Sequence, residues 1–427
     1  MACPGRPDLI PGATALTQRA SLPLRLLAGL AGTLALGHAV LLFGLVGENE
    51  VLALLGIGLA AFALPRPRLS LALSLGTLAA ALLLAALVWA AGLDAKAVRS
   101  TPLAELITYD FRHGHQVFRP NARVSFTVPF GDLAAMRGRD LGVGPRTVHF
   151  SADSRGLRND ADYAAQPWLL LGDSFVVASA TDQVHTLSEF LKLEHGVDVY
   201  NVAAVGGDLA DYGHWLDEFF QLHPDSPAKA VVFFFEGNDF GPVRDAKAAT
   251  PAWRLWLKRY VNLYRFMPLG KLCTVLVGRL RARDRDDPVL DASAGGLPIH
   301  FLKRYAEVAA RPAYPNPGEF RDILAAMRPR LAAAVFIPEK YRVYAPFLDQ
   351  PTGDLPNAQW AYLSGLCADL DLPCLDLTPA LRTAAGRLLP RGEFAYWPDD
   401  THWNAAGIRA AAAALAPFLD GLPEAAP

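Results

Sequence analysis

The chain has 427 residues, of which 52% are hydrophobic and 19% charged, and its formal net charge is −2. This length accommodates one large domain with additional elements, and a charge this small, without a basic stripe, argues against nucleic-acid binding. The four cysteines, Cys3, Cys273, Cys367 and Cys374, form no Cys-x-x-Cys pair, so a zinc ribbon or a thioredoxin-like motif is not indicated.

The hydrophobic excess is concentrated in the first hundred residues. Leu26–Gly47 and Leu69–Leu93 carry no charged side chain, and each is long enough to cross a hydrocarbon core of about 30 Å. Val51–Leu64 is also apolar but short, so whether it crosses fully stays open. We predict a cytoplasmic tail over residues 1–25 and a transmembrane segment of about three helices over residues 26–93.

Arginine residues indicate the orientation of these spans. Arg19 and Arg25 precede the first apolar segment, and Arg66 and Arg68 precede the third. Three spans place both pairs on the cytoplasmic side, as the positive-inside rule favours, whereas two spans would place one pair outside. We therefore predict a multi-pass membrane protein whose remaining chain lies outside the cytoplasm.

Period-two alternation and apolar runs predict the elements beyond the membrane segment. Residues 94–167 form a β-rich lead-in that contains two alternating runs, Val124–Val128 and Thr147–Phe150. The predicted strands that follow are Trp168–Leu171, Val197–Val202, Ala230–Phe235, Ala332–Ile337 and Pro373–Leu377. The predicted helices are Thr186–His195, opened by a capping box, Asp211–Leu222, Phe320–Met327, Ala358–Leu370 and a final alanine-rich helix capped by Asn404.

Short apolar strands that alternate with helices predict an α/β fold with a parallel sheet covered on both faces. This domain spans residues 168–427. Residues 241–317 interrupt the alternation with aromatic and charged side chains, and we interpret them as an inserted cap. Ligand sites in such sheets lie at the carboxyl ends of the strands, so polar residues that directly follow strands are the candidates for function.

Three such motifs follow the first three strands of the domain. Ser174 lies in a Gly-Asp-Ser-Phe turn, where its hydroxyl is a candidate nucleophile that needs a base to take its proton. Gly206 follows the second strand and offers an unhindered backbone N–H. Asn238 follows the third strand, and its carboxamide is a further donor for developing negative charge. Each motif alone is also compatible with an ordinary loop.

A fourth motif near the chain's end supplies the base. His402 is preceded by the two acids Asp399 and Asp400, so one loop provides an imidazole and a carboxylate to orient it. The loop is too short for both carboxylates to reach the same ring nitrogen comfortably. From residue types alone, either acid is a candidate.

Together the four motifs resemble those of the SGNH (GDSL-like) hydrolases, over roughly Trp168 to the C-terminus. Ser174, Gly206, Asn238 and His402 match the four family residues one for one. The resemblance implies a flavodoxin-like three-layer sandwich and a serine that attacks an ester carbonyl. It also implies an oxyanion hole made by the N–H groups of Ser174 and Gly206 and the side chain of Asn238.

Which aspartate is expected to orient His402 depends on which branch of the family the chain resembles. The common Asp-x-x-His spacing selects Asp399, whereas Asp-x-His-Trp is similar to the membrane-linked branch with alginate O-acetyltransferase-like proteins. We favour Asp400, with Thr401 pointing away. Asp153–Asn159 and Pro338–Tyr344 also resemble segments of that branch. Within the second segment, Lys340 and Arg342 could meet an anionic substrate group, but we favour the alternative that they are solvated surface charges.

The function expected from these observations is a membrane-anchored serine esterase that removes an O-acyl group from a glycan or lipid through an acyl-serine. An O-acyltransferase that delivers an acetyl group to an extracytoplasmic polysaccharide is the first alternative. A non-catalytic membrane protein on a retained fold is the second. No cofactor and no metal site is implied. Cys367 and Cys374 are either bonded, as an oxidising compartment permits, or two core thiols.

Overall fold

The structure is a computed structural model that describes residues 106–110, 115–137, 140–240, 287–314, 318–350, 353 and 355–422. The predicted tail and membrane spans over residues 1–93 lie outside the described residues, as do residues 241–286 of the predicted cap. Within the described ranges, no helix is both long and apolar enough to cross a membrane.

The described lead-in contains two pairs of antiparallel strands. Strand β1 (Ile107–Asp110) pairs with β2 (His115–Phe118), and β3 (Arg123–Val128) pairs with β4 (Arg146–Ser151). The short helix α1 (Asp132–Arg137) lies between β3 and β4. The two strands expected from period-two alternation are therefore present, and they are each other's partners.

The remaining described elements alternate as the sequence predicts, with a hairpin and four further helices, Ser174–Val177, Lys303–Ala309, Lys340–Tyr344 and Thr378–Leu388. Four short 3-10 turns, over residues 183–185, 328–330, 345–347 and 389–391, connect them. In chain order the elements are β5 (Trp168–Leu171), α2 (Ser174–Val177), α3 (Leu187–His195), β6 (Val199–Asn201), α4 (Leu209–Leu222), β7 (Lys229–Phe235), β8 (Val289–Ala294), β9 (Leu297–Leu302), α5 (Lys303–Ala309), α6 (Gly318–Met327), β10 (Leu331–Ile337), α7 (Lys340–Tyr344), α8 (Ala358–Asp369), β11 (Cys374–Asp376), α9 (Thr378–Leu388) and α10 (Ala405–Asp420).

A five-stranded parallel sheet lies at the centre, in the order β11-β10-β7-β5-β6. The predicted α/β class with a parallel sheet is confirmed. The chain runs from β5 outward to β6 and then returns past β5 to β7. The strand order therefore reverses between β5 and β7, and ligands bind at such a switch point in open α/β sheets.

Alternate residues of the strands face opposite sides, as the two-residue period requires. Leu170 and Val231 belong to one buried cluster with α2, α3, α9 and α10. Leu169 and Val232 belong to a second cluster with α4, α6 and α8. The sheet is thus covered by helices on both faces, which explains why its strands are almost wholly apolar.

Polar caps fix where several helices begin. The Thr186 side chain accepts a hydrogen bond from the Glu189 N–H at 3.3 Å, and Asn404 caps α10 in the same way. Helix α4 begins at Leu209, two residues before the predicted start, because Asp208 is the cap and Asp211 completes its capping box.

The described part of the predicted cap is residues 287–314. Strand β8 pairs with β9 in an antiparallel hairpin that leads directly into α5. Ile299 and Phe301 of this hairpin are fully buried in the cluster that also holds α2 and α10. This hairpin is therefore part of the domain's core packing.

Cys367 and Cys374 form a disulfide, with their Cα atoms 6.2 Å apart. The sequence left open whether these residues are bonded or are two core thiols, and the structure shows the bond. It ties α8 to the edge strand β11.

Candidate active site

Ser174 lies on a tight turn at the carboxyl end of β5 and is the first residue of α2. Asp173 caps that helix, its Oδ1 accepting a hydrogen bond from the Phe175 N–H at 2.9 Å. A Cβ atom at Gly172 would lie 2.6 Å from Val176 Cγ2, so only glycine lets the strand turn so closely into the helix. The Ser174 side chain is left half-buried at the edge of the sheet.

His402 reaches this serine from the far end of the chain. Its Nε2 lies 2.8 Å from Ser174 Oγ, and its Nδ1 lies 2.7 Å from Asp400 Oδ1. Because an ionised carboxylate only accepts hydrogen bonds, we assign the proton of the neutral ring to Nδ1, and Nε2 of that neutral ring can then accept from the serine hydroxyl. This is the arrangement of a serine triad.

Asp399 does not reach the ring. Its Oδ2 accepts a hydrogen bond from the Gly131 N–H at 2.5 Å, and its Oδ1 pairs with Arg146 Nη1 at 3.0 Å. Of the two candidate acids, the structure therefore places Asp400 beside His402, and it places Asp399 in contacts with the lead-in.

Aromatic side chains hold the imidazole in place. The Phe175 ring lies 4.8 Å from the His402 ring, centroid to centroid, and stacks on Phe235 at 4.0 Å. The Trp403 indole Nε1 donates to the Phe175 carbonyl at 3.0 Å. The tryptophan of the Asp-x-His-Trp pattern thus joins the histidine loop to the helix that carries Ser174.

Gly206 and Asn238 supply potential donors at the same edge of the sheet. Among the described residues, no acceptor is found for the N–H groups of Ser174 and Gly206, and Gly206 is exposed with a φ of +77°. Asn238 is exposed, and its Nδ2 donates to Asp173 Oδ2 at 3.3 Å. A carboxamide nitrogen carries two hydrogens, so one remains for an incoming oxyanion.

Carboxylates dominate the electrostatics of the ring. Burial alone would lower the pKa of His402, but the charges of Asp400, Asp132 and Asp173 outweigh it and raise this pKa to about 9. Burial opposes ionisation of Asp400, yet the His402 charge and Arg146 lower the pKa of Asp400 well below its usual value. The protonated imidazole is therefore strongly favoured beside its acid partner.

Asp132 is a site residue that the sequence did not indicate. Its Oδ1 accepts from the Thr401 N–H at 2.8 Å and its Oδ2 from the Thr401 hydroxyl at 2.5 Å. Thr401 Oγ1 also lies 3.4 Å from His402 Nδ1, so the expectation that Thr401 points away from the site is wrong. The reason is that Asp132 attracts the hydroxyl toward the ring.

By distance alone, Asp132, Asp400 and His402 could hold a metal ion, since their ligand atoms lie within 4.8 Å of one another. Their oxygen atoms are however already acceptors for protein donors. Asp400 Oδ2 accepts from the Asp132 N–H at 3.0 Å, and both Asp132 oxygens accept from Thr401. We therefore interpret the cluster as a hydrogen-bond network.

The expectation that Lys340 is a solvated surface charge is wrong, because the residue is 1% exposed. Its Nζ lies within hydrogen-bond distance of four backbone carbonyl oxygens, those of His300 at 2.6 Å, Trp397 at 2.7 Å, and Pro398 and Asp400 at 3.0 Å each, which its three N–H groups share. These carbonyls take the place of water around the charge. Lys340 thereby fixes the loop that presents Asp400.

Arg342, also expected to be solvated, is likewise 1% exposed. Its Nε lies 2.8 Å from both carboxylate oxygens of Glu236, and its Nη2 donates to the carbonyls of Ala309 and Pro356. Because Glu236 directly follows β7 and precedes Asn238 by two residues, this ion pair fixes the loop that carries Asn238.

The Asp153–Asn159 segment supports the same edge of the sheet. Arg158 is fully buried and donates to the carbonyls of Val177 and Ala178 at the end of α2 and of Thr181 in the turn that follows. The Asn159 side chain donates to the carbonyl of Asn201 in β6 and accepts from the N–H of the same residue. The segment thus anchors the helix that begins at Ser174.

The chain was compared with known proteins in two ways. A scan against protein-family models finds no match to the chain, and a search of curated proteins finds none either.

Proposed function

We propose that this chain is a membrane-anchored serine esterase of the SGNH type. The observation that carries the proposal is the continuous hydrogen-bonded series from Ser174 through His402 to Asp400. It lies at the carboxyl edge of a parallel sheet beside its switch point, where such folds place their sites. The strand order, numbered within the sheet as 2-1-3-4-5, is that of flavodoxin-like folds and favours this family.

In the first step, His402 Nε2 takes the Ser174 proton while Oγ attacks the ester carbonyl carbon. The carbonyl oxygen becomes an oxyanion within reach of the N–H groups of Ser174 and Gly206 and the Asn238 carboxamide. When the carbon–oxygen bond to the leaving alcohol breaks, that alcohol takes the proton from Nε2. The acyl group is then an ester of Ser174.

In the second step, an acceptor hydroxyl gives its proton to Nε2 and attacks the acyl carbon, and Ser174 recovers its proton as it leaves. Because Gly206 and Asn238 are exposed, water has access to the acyl-serine, so we propose hydrolysis rather than transfer to a glycan hydroxyl. The intact contacts among Ser174, His402 and Asp400 argue against a non-catalytic protein on a retained fold.

We further propose that the site faces the extracytoplasmic side, where O-acylated glycans and lipids are the substrate classes. The apolar segments and arginine pairs of residues 1–93 support this orientation. The Cys367–Cys374 disulfide supports it independently, because such bonds persist in oxidising compartments. A periplasm-dependent phosphatase fused after Leu93 should be active, and an inactive fusion with an active cytoplasmic reporter would contradict the orientation.

Ester turnover by the full chain tests the proposed activity. Purified in detergent, the chain should hydrolyse short acyl esters or acetylated glycans. Ser174→Ala should lower turnover on the order of a millionfold, as loss of a triad nucleophile does. Ser364→Ala, at a partly exposed serine on α8, is the matched control and should leave turnover unchanged. Equal activity of both variants would refute the proposal, and acylation of an added sugar in preference to water would favour the transferase.

A further inference from the structure

We propose that Asp132 is a positioning residue of the active site: it holds the loop of Asp400 and His402 and places a second carboxylate beside the imidazole. The inference rests on the proposed triad, but it assigns a role to a residue of the lead-in, outside the four motifs. Asp132 is separated from Thr401 by 269 positions in the chain, so only the fold brings it to the site.

The contacts run in both directions between α1 and the histidine loop. The Asp132 N–H donates to Asp400 Oδ2 at 3.0 Å, while the Asp132 carboxylate accepts from the N–H and hydroxyl of Thr401. Asp400 Oδ1 remains for His402 Nδ1. Asp132 therefore fixes Asp400, which orients the imidazole, and Thr401, which lies between Asp400 and His402 in the chain.

The close approach of α1 depends on Gly131. A Cβ atom there would lie 2.3 Å from the Asp399 carbonyl oxygen and 2.7 Å from Asp400 Cβ. Without it, the Gly131 N–H reaches Asp399 Oδ2 at 2.5 Å, and the Leu133 N–H reaches the Asp399 carbonyl at 3.1 Å. The beginning of α1 and the histidine loop thus pack as one unit.

The charge of Asp132 also acts on the ring directly. Asp132 Oδ2 lies 4.0 Å from His402 Nδ1, and the Asp132 side chain is about a quarter exposed. At this distance an opposite charge favours the protonated imidazole. The imidazole gains a proton when Ser174 attacks, so a second carboxylate stabilises the state that forms during the reaction.

Several other charges surround His402. Asp400 and Asp399 come from its own loop, Asp173 from the turn before α2, Arg146 from β4 and Lys340 from α7. Asp132→Asn and Thr401→Val leave all of these groups in place, so these variants separate the effect of Asp132 from theirs. Burial and the Asp400 charge raise the pKa of Asp132 to about 7, so its carboxylate is ionised in the alkaline range where His402 loses its proton.

The test compares Asp132→Asn with the wild-type full chain in the pH profile of kcat/KM for a short ester. Asparagine keeps the acceptor for the Thr401 N–H and removes the charge. The acidic limb of the profile should move to lower pH by about one unit, and kcat should fall by up to about 100-fold, as for a small misplacement of a catalytic group. Asp369→Asn, at an exposed ion pair on α8, should leave both unchanged.

Thr401→Val is the second variant, because it removes the hydroxyl contact and keeps the Asp132 charge. Thr401→Val should lower kcat, while the acidic limb of the pH profile of kcat/KM should stay at its wild-type pH. A merely structural role of Asp132 would not predict this separation of the two effects. An unshifted limb in folded Asp132→Asn would overturn the inference, as would wild-type kcat in Thr401→Val if Asp132→Asn does not fold. Absence of any wild-type turnover would instead refute the proposed function.

Discussion

Asp399 and Asp400 are neighbours in the chain, yet their carboxylates serve different partners. Asp400 Oδ1 lies 2.7 Å from His402 Nδ1, whereas Asp399 accepts from the Gly131 N–H and pairs with Arg146. One acid thus faces the His402 imidazole, and the other joins the histidine loop to the lead-in. The two should respond very differently to the same substitution.

Asp400→Asn should lower turnover by roughly four orders of magnitude, because an amide in this position favours the wrong ring tautomer. Asp399→Asn should cost far less turnover but should lower the melting temperature, since it leaves buried Arg146 without one of its charged partners. Turnover and thermal unfolding of the two folded variants check this. A crippled Asp399→Asn beside a near-normal Asp400→Asn would contradict the assignment.

The activity should rise with pH into the alkaline range. Only neutral His402 can take the Ser174 proton, and the surrounding carboxylates raise the pKa of His402 to about 9. Below that pKa, kcat/KM should fall about tenfold per pH unit, and above it the profile should level off. A stopped assay in a series of buffers measures the acidic limb of the pH profile of kcat/KM. A midpoint at or below the ordinary histidine value of about 6.5 would contradict the electrostatic account.

The buried pair of Glu236 and Arg342 should contribute strongly to stability. Both side chains are almost fully buried, so Arg342→Met leaves an uncompensated carboxylate and should lower the free energy of unfolding by about 3–5 kcal/mol. Arg321→Met breaks an ion pair whose two side chains are each about half exposed, and it should cost at most about 1 kcal/mol. Denaturant unfolding of the two variants should separate them, and equal losses would be inconsistent with this picture.

The disulfide should be present in exported protein and should stabilise the edge of the sheet. Peptide mass mapping without reduction should recover Cys367 and Cys374 in one linked peptide pair. Replacing both with serine should lower the free energy of unfolding by about 2–4 kcal/mol. Two thiols that alkylate freely without reduction would show that the bond does not form.

The parts of the fold that the sequence predicted are those with local signals. The strand Trp168–Leu171 is a short apolar run before a glycine, and the caps at Thr186 and Asn404 act within their own helices. Helix α9 was not predicted, although Pro379 at its first turn is a start signal. The strand and the two capped helices depend on few neighbours, so the sequence alone was sufficient to predict them; α9 shows that a start signal by itself was not.

The parts that were missed or wrong depend on distant contacts. Asp132 lies in a stretch without a motif, and its role exists only because α1 meets the histidine loop. Lys340 and Arg342 are charged, which suggested exposure, but backbone carbonyls and Glu236 from other elements surround them. No local pattern encodes such partners, so the sequence could not distinguish a buried charge from a solvated one.

The most direct test of the central claim is the site of covalent labelling by a fluorophosphonate probe. We expect the intact full-length chain to gain one adduct, on the peptide that contains Ser174, because His402 activates that hydroxyl. Ser174→Ala should abolish labelling, and Ser364→Ala should label as the wild type does. An adduct on another residue, or undiminished labelling of Ser174→Ala, would contradict the account.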